Sequence, residues 1–187
     1  MVATPSFYKE ETPATEQRPN TPKQKQSPAD EEVDGKAMKL AEALQKFAGV
    51  SFDLEAAAKT LAPIAEVLDV FDVLTIAKLL LMYGGVLSVN APDQIVQKWG
   101  EYLACWDNTA APELRKNGLV WYTVPTQEEA NGVAMIFEKI ASVRGINCTI
   151  TAETRERDGE QVPTIYFDLL DKSQCVPDDE TGVEAAA

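Results

Sequence analysis

The chain has 187 residues, 45% hydrophobic and 25% charged, with 17 basic side chains against 30 acidic ones and a net charge of −13. That balance excludes a broad phosphate-binding surface, which needs Lys and Arg, and works against docking on an anionic membrane. Histidine is absent, so serine–histidine and cysteine–histidine catalysis and the paired-histidine zinc motif are excluded as well.

Residues 1–29 hold five prolines among Thr, Gln, Glu and Lys. Few groups there could build a core, so the segment reads as a disordered arm. Thr4, Thr12, Thr21 and Ser27 each precede a proline. The pattern suits proline-directed phosphorylation, or simply a solvated Pro-rich arm. Phe7 and Tyr8 are its only aromatics and are candidate anchors on a partner or a neighbouring subunit.

Ser27 and Pro28 have the form of a helix start. Ala37, Leu40, Ala41, Leu44, Phe47 and Ala48 then recur at helical spacing, predicting a helix over residues 30–48 that Gly49 stops. Asp53 is placed to cap a helix over residues 54–62, which Pro63 ends or re-aims.

Residues 63–83 form the longest dense apolar run. Its polar residues, Glu66, Asp69, Asp72, Thr75 and Lys78, fall at every third position. At 100° per residue such a series drifts about 60° per step and leaves no clean polar face. Either one helix is enclosed on most sides, or Asp72 caps a second helix, residues 73–83, after a break. A membrane span is rejected, because each mid-span Asp would cost about 2.5–3.5 kcal/mol.

Asn90 is placed to cap the next helix, with Pro92 and Asp93 in its first turn. Ile95, Val96, Trp99, Tyr102, Leu103 and Trp106 line one side of it. The stripe is either a core seam or a partner groove. The central run needs apolar cover, which favours the core; as a groove, Trp99 and Trp106 would be partner-binding residues. Residues 110–116 add one or two turns, closed by Asn117 and Gly118.

At Leu119 the pattern changes. LVWYTV reads as a strand. Thr126 and Glu129 form a capping box for a helix over residues 127–143, with Ala130, Val133, Ala134, Phe137, Ile140 and Ala141 facing inward. Residues 146–156 and 162–170 read as two further strands joined at Asp158-Gly159. Pro163 points to an edge position for the last. Strand, capped helix and strand together resemble half of a ferredoxin-like sheet, a half-pattern also found in small peptidoglycan-binding and amino-acid-binding domains. The resemblance spans about 45 residues and brings no functional residue with it. Residues 171–187 read as an acidic disordered tail.

Candidate chemistry is sparse. Glu66, Asp69 and Asp72 could gather around a metal ion, but acids at this spacing are usually surface residues or caps. Glu153 and Asp168 could work as an acid–base pair only if the strands align them. Gly84-Gly85 lacks the Lys-Ser/Thr of a phosphate loop. Arg155 and Arg157 alternate along their strand and should share one side, free to hold an anionic partner or to pair with Glu153, Glu156 and Glu160. Cys105, Cys148 and Cys175 have no metal-binding spacing. Cys105 and Cys148 read as small buried hydrophobes and Cys175 as an exposed thiol. The start of the chain lacks a signal-peptide pattern, so a cytoplasmic protein with reduced thiols is expected.

Trp99, and then Asn117-Gly118-Leu119 followed by Trp121, resemble a local pattern in coat proteins of flexuous filamentous plant viruses. That resemblance implies a self-assembling subunit with a helical core, flexible arms and an RNA groove. The chain departs from it in being short, acidic and poor in basic residues, and the family is not assigned.

The expectation is an α+β chain: a disordered arm over residues 1–29, a bundle of four to five helices over residues 30–118, a β-α-β-β lobe over residues 119–170 packed on it, and a disordered tail. The expected function is non-enzymatic protein–protein interaction or self-assembly as a homo-oligomer, with no catalytic residue, cofactor or metal. The candidate partner-binding residues are Phe7, Tyr8, Trp99, Trp106, Arg155 and Arg157. One alternative is a viral or phage-type structural subunit that touches nucleic acid through a local groove. The other is a small enzyme dependent on a carboxylate or on Cys105.

Overall fold

The computed structural model describes residues 28–157 and 159–175. The expectations for the N-terminal arm, Phe7, Tyr8 and the four Thr/Ser-Pro sites, and for residues 176–187, lie outside the described residues.

The fold is α+β. Three helices come first, α1 (Pro28–Ala48), α2 (Leu54–Ala65) and α3 (Val70–Met82). A long helical run follows: α4 (Ala91–Cys105), a π-helical turn (Trp106–Ala110) and α5 (Ala111–Asn117). Then come strand β1 (Leu119–Thr123), helix α6 (Gln127–Val143) and strands β2 (Cys148–Arg157) and β3 (Glu160–Leu169).

Helix α1 buries Ala37, Leu40, Ala41 and Leu44, the face its spacing marks, and ends at Gly49, whose φ of 67° needs no Cβ. Asp53 caps α2 by accepting from the amides of Glu55 and Ala56. Pro63 does not end α2, which continues to Ala65. A proline removes only its own donor and crowds the carbonyl four residues back. Here that is Lys59, which is exposed, so water can reach the orphaned oxygen.

The central apolar run is broken, three residues earlier than Asp72 would have it. The Ile64 carbonyl accepts from Val67 and Leu68 and closes α2. Asp69, not Asp72, is the cap of α3. It accepts from the amides of Phe71 and Asp72, while the Asp72 carboxylate accepts from the Asp69 amide at 2.9 Å. The two acids form a reciprocal capping box. The helix then sinks Val73, Ile76, Ala77 and Leu79 between α1, α4 and α6. Two of the acids read as metal candidates are thus occupied in starting a helix.

Asn90 makes no side-chain cap bond. The start of α4 rests instead on Pro92, with its fixed φ, and on the Ser88 carbonyl, which accepts from Ala91. The stripe that follows faces inward: Trp99 is 6% exposed and Trp106 0%. The Ala111 amide reaches back five residues to the Trp106 carbonyl, so one extra residue is absorbed just before Pro112. Beyond that turn α5 packs on β1 and β3, whereas α4 packs on the helices. Gly118, at φ 71°, closes α5 by donating to the Leu114 carbonyl at 2.7 Å.

The three strands form one antiparallel sheet in the order β1-β3-β2. Pro163 therefore lies in the central strand and not at an edge. The Val124 amide donates to the Pro163 carbonyl, so the backbone of Pro163 faces β1 one residue past its end. The missing donor weakens only this last rung. Helix α6 covers the inner face of β2 and β3. There Phe137 meets Trp106 and Phe167 at ring-centre distances of 5.8 and 5.4 Å, and helices and sheet share a continuous core.

Residues 171–175 are structured, contrary to the expected tail. A 3-10 turn (Lys172–Gln174) is capped by the Asp171 carboxylate, and it lays Cys175 against Gly118. Cys175 is half-buried and Cys105 is exposed, the reverse of the expectation.

Candidate functional site

Strand alternation divides the sheet into two unlike faces. Val120, Ile150, Ile165, Phe167 and Leu169 point into the core. Leu119, Trp121 and Thr123 of β1, Thr164 and Tyr166 of β3, and Arg155 and Arg157 of β2 line a shallow trough of about 370 Å³ on the other face. No described element covers it. Trp121 stands opposite Tyr166 in the ladder and is 47% exposed.

The two arginines lie flat on these rings. The Arg155 guanidinium sits 4.2 Å from the centre of Tyr166, and that of Arg157 sits 5.2 Å from Trp121. Guanidinium planes stack readily on aromatic faces. Arg155 also stands 3.6 Å from Glu153, an exposed contact of little energetic weight. The result is an aromatic floor with two planar cations held over it. Such a surface can stack on flat groups and take a carboxylate or phosphate oxygen at its rim.

The other candidate residues are not brought here. Trp99 and Trp106 are core residues, and the indole nitrogen of Trp106 is buried without a partner among the described residues. Glu153 pairs with Thr164, and Asp168 lies four residues further along β3. At about 3.3 Å per residue they stand roughly 13 Å apart, too far for a carboxylate pair. Among the described residues there is no cluster of acids and cysteines that could hold a metal ion.

A second concavity, about 310 Å³, lies between the end of α3, α4 and the sheet. The Lys98 ammonium lies over Tyr83 and Tyr102, 5.7 and 5.2 Å from their ring centres, and meets Glu101 at 2.9 Å. Burial pushes the Tyr102 hydroxyl up to about 12. Burial raises Tyr122 too, and its hydrogen bond to Glu113 adds to the rise. The Cys105 thiol, also in this cleft, is raised by burial. A thiol shifted that way holds less thiolate at neutral pH and is a poorer nucleophile. Nothing in the sequence marked this cleft, because packing alone brings Tyr83 beside Lys98. Trp121 and Tyr166, missed as site residues, did carry a signal. Each follows a core residue in a strand whose other positions alternate.

No family model matches the chain, and neither a curated protein nor a solved structure matches it. No helix among the described residues is long and apolar enough to cross a membrane.

Proposed function

We propose that this chain is a non-enzymatic interaction protein that self-assembles, and that the uncovered sheet is its docking element. One observation carries this reading: a sheet in which one face belongs to the core and the other holds Trp121, Tyr166, Arg155 and Arg157 in the open. Large aromatics and arginine dominate the energetics of protein interfaces. The reading includes a cytosolic setting, consistent with three unpaired thiols. Sedimentation across a wide concentration range tests it. Reversible growth in mass with concentration supports self-assembly, and a strict monomer throughout rejects it.

The stacked arginines favour one further reading, a subunit that takes single-stranded nucleic acid on the same face. Bases stack on aromatic and guanidinium planes, and this face collects two of the 17 basic side chains of an acidic protein. Titration with single-stranded RNA at low salt, followed by Trp121 fluorescence, tests it. Quenching that weakens as salt rises supports it; an unchanged spectrum counts against it.

A further inference from the structure

We propose that the partner in self-assembly is a second copy of this chain, and that the two join through the free edge of β2. The strands run antiparallel about a two-fold axis at Thr154 and make one six-stranded sheet. This inference rests on the self-assembly reading above and gives it an interface.

The first ground is the ladder. Val124 donates to Pro163, and Leu169 donates to Gly118. Odd-numbered residues of β3 thus turn their backbone groups toward β1, and even-numbered ones turn theirs toward β2. The partners of Val162, Thr164 and Tyr166 are Arg155, Glu153 and Thr151. The amides and carbonyls of Ile150, Ala152, Thr154 and Glu156 therefore point away from the sheet. No backbone hydrogen bond from another described element reaches β2. An unpaired row of this kind is a template for another strand.

The second ground is charge. A two-fold axis at Thr154 sets Glu153 of each copy directly opposite Arg155 of the other, on the outward face. Thr154 meets its own copy as a hydrogen-bonded pair, and Ala152 meets Glu156 across the joint. Neighbouring registers lack this match. Centred on Arg155 or on Glu153, two like charges face each other; centred on Glu156, Arg155 meets Arg157 twice. Opposite charges directly across a ladder stabilise it and like charges destabilise it, so the edge specifies its own alignment. Because the axis is perpendicular to the sheet, both open faces come to lie side by side on one surface.

Sedimentation equilibrium of the full chain and three variants tests the inference. Glu153→Arg and Arg155→Glu each replace two matched pairs with two like-charge pairs and should weaken self-association about tenfold or more. An equimolar mixture of the two should restore it, because each copy then meets the opposite charges. Thr154→Pro removes an outward donor without costing a β2–β3 bond and should abolish pairing. Both charged side chains are exposed, so circular dichroism should stay that of the parent chain. A parent chain that is monomeric throughout overturns the inference and the self-assembly reading together. A parent that associates while all three variants associate equally, or a mixture that fails to recover, overturns the β2 joint alone.

Discussion

Asp72 and Lys139 tie helix α3 to helix α6. The ammonium stands 3.1 Å from the Asp72 carboxylate oxygen that also accepts the Asp69 amide. One nearly buried acid therefore starts one helix and holds another. Asp72→Ala removes half of the capping box and leaves Lys139 without its partner. It should cost about 2 kcal/mol in urea unfolding. Lys139→Met leaves the cap intact and keeps the aliphatic stem, and should cost under about 1 kcal/mol.

A few residues along α6, Gly132 faces the same helix. A Cβ added there would lie 3.1 Å from Leu79 Cδ2. Gly132→Ala gains about 1 kcal/mol of helix propensity and loses part of it in moving the end of a flexible leucine, so it should be close to neutral. Gly132→Val has no such room and should lower stability by about 1–3 kcal/mol. Thermal unfolding of the pair separates propensity from packing.

The three tryptophans divide into two classes. Trp106 is wholly enclosed and Trp99 nearly so, while Trp121 is half-open. Acrylamide should quench one component of the fluorescence strongly and leave the rest protected, and Trp121→Phe should remove the quenched component. Trp106→Ala should cost about 3–5 kcal/mol through the cavity it leaves. Trp121→Ala should change stability by less than about 1 kcal/mol while weakening whatever docks on the open face.

Glu129 gives a pH signature. It is buried at the start of α6 and accepts a hydrogen bond from the Tyr83 hydroxyl, and burial raises its pKa above 4.5. Between that unfolded value and the higher folded value, the native state holds the extra proton. Its contribution to stability is therefore present at low pH and lost as pH rises through this window. Glu129→Gln should remove this loss. The difference in unfolding free energy between the Glu129→Gln variant and the parent chain should grow in favour of the variant from about pH 4.5 upward.

The elements that could be read from the sequence were those with a local cause. The apolar spacing of α1, the Asp53 cap, the Thr126 cap and the glycine at the end of each of several helices are decided within a few residues. Asp69 and Asp72 were harder, because either acid can start a helix. The choice went to the pair that could cap reciprocally. Pro163 was misplaced because strand order is a long-range property: β3 enters between β1 and β2, and only its last backbone rung toward β1 tolerates a proline. The cysteines were misjudged for a similar reason. Cys175 is covered by the return of the chain to Gly118, a contact no local pattern records. At the open face, alternation alone placed both arginines on one side, but the rings beneath them come from two other strands.

The π-helical turn between Trp106 and Ala110 sets a length constraint. Deleting one residue there would restore ordinary helical winding and rotate everything after it by about 100°. Leu114, now fully buried against the sheet side of the core, would swing toward solvent, and β1 would leave α5 in the wrong direction. The spacing between the aromatic stripe and the sheet is thus counted in whole residues. Most of the side chains in this turn could be exchanged, but none could be dropped, and an alignment of this chain with any relative should find no gap there.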